Sequence, residues 1–407
     1  MPLFALLGAG FISLTGDWIL RTGLAWQVYA LTGSTLAAAG TVLASLIPQT
    51  LLGPPAGVRA DRGNRRHTMI AVNLLLALCL IPLLAVTSAD RVWIIWPVVA
   101  AQSCLVPFFV AAESALLPSL AGAHGLVRAN ALNAQVRDVA RLTGAGIGGA
   151  VAAAGGLPLL AAVDAASFLA AAALLVAVPA RAGRVPATGH DPDAGRGWRD
   201  LTGGLRLISR SPALRVFGAF FVITGVGEAI MATLMAPFVR DVLHASATAY
   251  GTVLAAQAIG GLAGGAAVAL AGHRISPWPA AAWGAVAFGA ADLALFLYPL
   301  ATSALWPAYA LIVLAGLPGA LLAAAGMTIV QTAAGPAHRG RVFGTFLTLE
   351  ALAMLAGTLT AGALGDHLGI IPVIAAQGAA YCLAGLLLAA ASRRATVHRT
   401  PAAALAP

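Results

Sequence analysis

Residues 57–66 read Gly-Val-Arg-Ala-Asp-Arg-Gly-Asn-Arg-Arg, a short turn with four arginines and one aspartate. A predominantly apolar run lies on either side of it, at 36–58 and at 67–88. Each run is long enough to cross a bilayer core about 30 Å thick as a helix. Because the pattern of a polar turn between membrane-length apolar runs recurs along the chain, the sequence predicts a protein surrounded mostly by lipid.

The composition supports the same conclusion. Of 407 residues, 60% are hydrophobic and 9% are charged, against about 25% charged in ordinary soluble proteins. This excludes a soluble enzyme, a disulfide-stabilised secreted scaffold and a disordered chain. The cysteines and histidines show no clustered spacing, so no catalytic site, metal or cofactor is expected. The net charge of +9 comes from arginines scattered over short turns, so nucleic acid is not an expected partner.

Twelve apolar runs can be counted along the chain. They lie at 3–30, 36–58, 67–88, 92–118, 129–154, 157–179, 212–239, 248–271, 278–299, 303–332, 342–365 and 370–391. The runs lack the alternation that is typical of a membrane β-barrel. The sequence therefore predicts an all-α membrane protein with twelve transmembrane helices.

The arginines are concentrated in every second turn between the runs. The positive-inside rule then predicts a multi-pass protein with both termini in the cytoplasm. One long polar stretch, 181–211, is predicted to be a cytoplasmic linker between an N-terminal bundle (1–180) and a C-terminal bundle (212–392), with a tail at 393–407. Within this linker, residues 198–210 are either a helix on the inner leaflet or a solvated segment.

The two halves of the chain resemble each other. Gly144 and Gly357 lie 213 positions apart, and the pairs Gly16-Asp17 and Gly227-Glu228 lie 211 apart. Two pseudo-symmetric six-helix halves are typical of transporters that bind substrate near the membrane midplane. Close helix packing is expected at the glycines of the fifth run, Gly144, Gly148 and Gly149.

The turn at 57–66 resembles the G-x-L-A-D-R-x-G-R-R signature of the major facilitator superfamily, with Arg59 and Asn64 at two positions that depart from it. Residues 115–118 and 339–344 resemble the macrolide-efflux and enterobactin-exporter branch of that superfamily. The resemblance implies the major facilitator fold and a secondary active transporter of the plasma (inner) membrane. It would export a small hydrophobic or amphipathic compound, such as a drug, antibiotic, siderophore or other secondary metabolite, in exchange for protons. The protein is expected to act as a monomer.

The same resemblance implies a gate at the cytoplasmic surface. Glu113 would pair with Arg65, and Asp61 would face the start of the eleventh helix near Arg341. The residues assigned to this gate are Gly57, Asp61, Arg62, Arg65, Glu113 and Arg341.

Charged residues at membrane depth are candidates for proton coupling or substrate binding. Asp17 and Glu228 occupy equivalent places in the first and seventh runs, which face the cavity in this superfamily. A competing interpretation is that Asp17 only forms an i,i+4 ion pair with Arg21. For Asp164 and Asp292, structural pairing is expected.

A second function remains open on the same fold, namely proton-coupled or facilitated uptake of a small nutrient. Such importers need several polar side chains at the midplane. The first, fourth, seventh and tenth runs contain few amides, which favours apolar cargo and export.

Overall fold

The computed structural model describes residues 2–121, 125–180, 197–271, 275–335 and 338–397, with the backbone alone at 53–62, 127, 197–201, 271 and 393–397. Most of the predicted linker and tail, 181–196 and 398–407, lies outside this description. The α-helices are α1 (Pro2–Thr32), α2 (Thr35–Arg62), α3 (Arg65–Cys79), α4 (Ile95–Ala121), α5 (Leu126–Val176), α6 (Gly197–Arg210), α7 (Pro212–Pro237), α8 (Ala247–Ala271), α9 (Pro277–Leu297), α10 (Trp306–Ala334), α11 (Arg339–Leu368) and α12 (Ile370–Val397).

Among the described residues, eleven helical segments are long and apolar enough to cross a membrane. One of them, Arg128–Val176, has 49 residues, about twice what a bilayer core requires at 1.5 Å per residue. Gly156 interrupts it with φ 58° and ψ −152°, a conformation that glycine tolerates. Helix α5 thus supplies two crossings, which confirms the predicted all-α fold with twelve transmembrane helices and the predicted break near Gly156.

The chain divides into two compact units. The first comprises Met1–Arg196 and Ala236–Ala255. Within it, α1 packs along α5, and α4 contacts both α2 and α3. Fully buried leucines such as Leu6 and Leu160 belong to its core.

The second unit comprises Gly197–Met235 and Ala256–Pro407. Within it, α9 contacts both α10 and α12, and α6 packs on α11. Gly204 allows this last contact, because a Cβ there would lie 2.9 Å from the carbonyl oxygen of Arg341 and would overlap Thr345. Residues 197–210 are helical, and the placement of this helix on the inner leaflet stays a prediction.

Large apolar side chains are exposed on the helices of both units. Examples are Leu51, Leu270 and Trp306, which are 68%, 81% and 71% exposed. Apolar surface on this scale is unfavourable in water and is expected where a protein meets lipid tails. The exposed residues therefore agree with the apolar runs in assigning the helices to a membrane.

The sequence repeat corresponds to matching contacts inside each unit. A Cβ on Gly144 would lie 2.7 Å from the carbonyl oxygen of Thr15, and one on Gly357 would overlap the carbonyl oxygen of Val226. These pairs are related by the same shifts of 213 and 211 positions that relate the sequences. Each unit thus repeats one close helix crossing, as expected for pseudo-symmetric halves.

The other two predicted packing glycines also lie at close crossings in the first unit. A Cβ on Gly148 would lie 2.7 Å from the carbonyl oxygen of Ile19, and one on Gly149 would overlap the carbonyl of Ala247. Small residues allow helix backbones in membranes to approach each other in this way.

Candidate functional site

A cavity of about 410 Å³ lies within the second unit, between α7, α9, α10, α11 and α12. Its volume falls in the range of small-molecule sites, about 300–1,000 Å³. Aromatic rings form much of its wall, including Phe217, Phe220, Phe221, Phe288 and Tyr381. The wall also carries two carboxyl groups, Glu228 and Glu350, and contains no arginine or histidine among the residues that the structure describes.

Glu228 is held in this wall by a hydrogen bond. The hydroxyl of Tyr381 donates to Glu228 Oε1 at 2.6 Å. Helices α7 and α12 approach closely beside this pair because Gly227 has no side chain, and a Cβ there would lie 3.1 Å from Cα of Gln377. The predicted acid at membrane depth therefore faces an aromatic cavity and is hydrogen-bonded by a neutral group.

Another carboxyl group, Asp292 of α9, is fully buried near this pair. The amide of Gln377 donates from Nε2 to Asp292 Oδ2 at 2.7 Å, and both side chains are 0% exposed. Asp292 Oδ1 and Gln377 Oε1 have no hydrogen-bond partner in the described part of the chain. The pairing expected for Asp292 thus exists, but its partner is an amide and one carboxyl oxygen remains unsatisfied.

In the first unit, Asp17 and Arg21 form the predicted i,i+4 ion pair, with Arg21 Nε 2.8 Å from Asp17 Oδ2. Both side chains remain partly exposed, so their attraction is moderated by screening. Asp164 is fully buried against the same helix, where a Cβ on Gly16 would lie 2.7 Å from its Oδ1. Ser167 Oγ donates to that oxygen at 3.2 Å. Asp17 thus has a cationic partner, whereas Glu228 has a phenol.

Glu113 has a different partner from the one predicted. Its Oε2 forms an ion pair with Arg137 of α5, and its side chain is 1% exposed. Arg65 donates from Nη1 to the carbonyl oxygen of Ala115 at 2.9 Å. The predicted Glu113–Arg65 pair is therefore wrong. A buried carboxylate needs a nearby cation, and α5 supplies it through Arg137.

The described side chains do not form a cluster of the remaining predicted gate residues. Gly57, Asp61 and Arg62 lie in the last part of α2, where only the backbone is described. Arg341 is exposed in the first turn of α11. The contact predicted between Asp61 and α11 lies outside the described side chains.

A polar cluster that the sequence did not single out lies in the first unit. Tyr29 Oη donates to Asp241 Oδ2 at 2.5 Å, and Arg240 donates from Nη1 to the Tyr29 carbonyl oxygen at 3.0 Å. The Arg240 guanidinium also lies 5.7 Å from the centre of the Tyr29 ring, within range of a cation–π interaction. These contacts fasten the segment that follows α7 to the end of α1.

The aromatic cavity was also missed, although the sequence holds a signal for it. Phe217, Phe220 and Phe221 are spaced i, i+3 and i+4, which places three rings on one face of α7. Glu350 lies 213 positions after Arg137 and is thus its repeat equivalent. Taken together, these two patterns would have pointed to an acidic and aromatic site in the second half.

Within the described residues, no group of three histidine, cysteine, aspartate or glutamate side chains has an arrangement that could hold a metal ion. The site consists of aromatic rings, carboxyl groups and a phenol. Such groups can bind an organic molecule and exchange protons.

Comparison with known proteins agrees with this fold. Residues 2–406 match the major facilitator family described as transmembrane secretion effectors. The chain is 26% identical over 400 residues to the multidrug efflux pump Tap of Mycolicibacterium fortuitum, covering 95% of this chain and 94% of the relative. It is 27% identical over 382 residues to Tap of Mycobacterium tuberculosis (strain ATCC 25618 / H37Rv), covering 91% and 88%.

Among solved structures, the chain is similar to a bacterial homologue of the human lysosomal transporter Spinster in an inward-facing, unoccupied conformation. The TM-score is 0.70 at 17% identity, with 98% of this chain and 99% of the other covered. At that identity the likeness concerns the fold alone. The match over nearly its full length shows that the chain belongs to the transmembrane secretion effector family of major facilitator transporters.

Proposed function

We propose that this transporter exports a small amphipathic compound across the plasma membrane in exchange for protons, by alternating access. Its relatives named multidrug efflux pumps support export as the direction. The observation that carries the proposal is Glu228, a carboxyl group in the wall of an aromatic cavity, hydrogen-bonded to Tyr381 and not ion-paired to any described arginine.

This arrangement suits a residue that alternates between two protonation states. An ionised side chain at membrane depth costs a few kcal/mol on insertion scales. The Tyr381 hydroxyl stabilises the charged form through one oxygen and leaves the other free to take a proton. A permanent arginine partner would instead favour the ionised carboxylate throughout the cycle.

The cavity wall favours export of apolar cargo over uptake of a polar nutrient. A nutrient such as a sugar or amino acid needs several hydrogen-bond donors, because each unpaired polar group costs free energy on leaving water. Among the described residues, the wall contains no asparagine or glutamine and consists mostly of aromatic and aliphatic side chains. Nutrient uptake remains the second candidate, and it predicts that the transported compound accumulates in cells that carry the protein.

We retain the predicted cytoplasmic gate as part of this proposal, with one revision. Asp61 and Arg62 of the signature turn would clamp against α11 near Arg341 when the cavity is open to the outside. Glu113 and Arg137 would brace the first unit by their internal ion pair.

The function is tested by measuring accumulation of a fluorescent amphipathic drug in cells with and without the protein. We expect lower accumulation in cells that carry it, and recovery to the level of control cells when a protonophore abolishes the proton gradient. Accumulation that rises with the protein would favour uptake. Low accumulation that persists with the protonophore would contradict proton coupling.

Both termini are proposed to lie in the cytoplasm, in a protein that acts as a monomer. In a variant lacking Cys79, Cys104 and Cys382, a cysteine at Ser34 should react with an impermeant maleimide only from outside. A cysteine at Gly63 should react only from the cytoplasmic side, in inverted vesicles. Labelling of both positions from one side would contradict this topology.

A further inference from the structure

Glu350 has no counter-charge in the described part of the protein. It lines the cavity on α11, and no described side chain forms an ion pair or a hydrogen bond with it. Its surroundings include Gly225 of α7, where a Cβ would lie 3.4 Å from Glu350 Cγ. Because Gly225 and Glu228 are one helical turn apart on the same face of α7, the two glutamates lie near each other in one wall.

The sequence repeat shows what is unusual about this position. Glu350 is the repeat equivalent of Arg137, whose charge in the first unit is balanced by the buried Glu113. In the second unit the same position carries a negative charge and faces a cavity. An unbalanced carboxylate in an apolar wall is unfavourable unless it takes up a proton or a cation is present.

The aromatic rings around this carboxylate are suited to an organic cation whose surface is otherwise apolar. Phe288 and Tyr381 lie 4.6 Å apart between ring centres, and Phe220 meets Tyr381 edge to face at 6.3 Å. Aromatic faces attract organic cations through the negative charge of the ring face. Since the described lining contributes no positive side chain, a cationic partner for an ionised Glu350 would have to come from the ligand.

We propose that the cavity binds a monovalent aromatic cation, with Glu350 as its charge partner and Glu228 free to carry the coupled proton. This inference rests on the proposed function, because it names the substrate class of the same site. One charge is expected rather than two, because Glu228 is already hydrogen-bonded by Tyr381 and is neutral in one half of the cycle.

The inference is tested by calorimetric titration of the purified protein in detergent, where no gradient is present. The probes are tetraphenylphosphonium and tetraphenylborate, which have nearly the same shape and opposite charges. We expect the cation to bind and the anion not to bind. Equal binding of the two ions, or no binding of the cation, would overturn the inference on the wild-type protein alone.

The charge partner is tested with Glu350→Gln. The matched control is Asp90→Asn, which removes an exposed carboxyl group between α3 and α4 that does not line the cavity. We expect Glu350→Gln to weaken phosphonium binding by about tenfold or more, and Asp90→Asn to change it by less than about threefold. Unchanged affinity in Glu350→Gln, or an equal loss in Asp90→Asn, would refute the assignment to Glu350. Size-exclusion profiles identical to wild type exclude misfolding, and if Glu350→Gln fails to fold, Glu350→Asp together with the two-ion comparison decides the question.

The two proposals fail in different ways. If phosphonium binds through Glu350 but cells with the protein accumulate as much drug as control cells, the export proposal is wrong and the binding site stands. If cells export a neutral drug in a protonophore-sensitive way while phosphonium does not bind, export stands and the cation site is wrong.

Discussion

Glu228→Gln should reduce export driven by a pH gradient to the rate of protein-free vesicles. Glutamine keeps nearly the same shape and can still accept the hydrogen bond from Tyr381 Oη that now measures 2.6 Å. Glutamine cannot bind and release a proton at this position. The variant therefore keeps the cavity but cannot use the proton gradient to drive transport. The measurement is drug transport in proteoliposomes with an imposed pH gradient, compared with exchange of labelled for unlabelled drug without a gradient. Exchange should stay within about twofold of wild type.

Two control variants separate coupling from structure. Tyr381→Phe removes the hydrogen bond but leaves the carboxyl group, so gradient-driven transport should persist with an altered pH profile. Asp17→Asn removes the partner of Arg21 in a partly exposed ion pair, and should retain coupled transport. Full gradient-driven export in Glu228→Gln would make Glu228 structural. Loss of coupling in Asp17→Asn alone would then assign the proton to Asp17.

The membrane fold could be predicted because it depends on local composition. Twelve apolar runs were visible without any knowledge of tertiary contacts, since lipid imposes a length of about 20 residues on each crossing helix. The fifth and sixth runs were separated near Gly156, where the backbone of α5 does leave the helical conformation. The repeat at Gly144 and Gly357 was readable because small residues at a helix crossing cannot be exchanged for large ones.

Side-chain partners were harder to predict than helices, because they come from different helices; the cavity alone is lined by five. The sequence predicts Arg65 as the partner of Glu113, whereas the structure pairs Glu113 with Arg137, 24 positions away on a neighbouring helix. Partner choice of this kind depends on which helix faces are adjacent, and periodicity does not determine it. Likewise, the Gln377–Asp292 hydrogen bond joins residues 85 positions apart.

A partial signal for this second pair does exist in the repeat. Gln377 is the equivalent of Asp164, 213 positions earlier. A Cβ on Gly16 would touch Asp164, and one on Gly227 would touch Gln377. The acid therefore lies on α5 in the first unit, whereas in the second unit the equivalent position holds an amide and the acid lies on α9. A search for polar residues at repeat-equivalent positions would have found this exchange.

Gly357→Leu is expected to prevent the protein from folding into a monodisperse form. A Cβ at this position would overlap the carbonyl oxygen of Val226 and lie 2.9 Å from its carbonyl carbon and Cα. The obstacle is backbone rather than a flexible side chain, so α11 and α7 have to separate. Overpacking typically costs about 1–3 kcal/mol and occasionally more, and here it affects a helix that carries Glu350. The measurements are size-exclusion profiles and thermal unfolding of the purified protein.

Gly344→Leu provides the matched control on the same helix, because a Cβ at Gly344 meets nothing within 4 Å. It should purify like wild type, since leucine is also the better helix former by several tenths of a kcal/mol. Gly144→Leu should behave like Gly357→Leu, because its Cβ would lie 2.7 Å from the carbonyl oxygen of Thr15, the repeat counterpart of Val226. A folded, thermally stable Gly357→Leu protein would contradict this prediction, because α7 and α11 could then separate at this crossing without loss of the fold. The close crossing that both units repeat would then not be required for their stability.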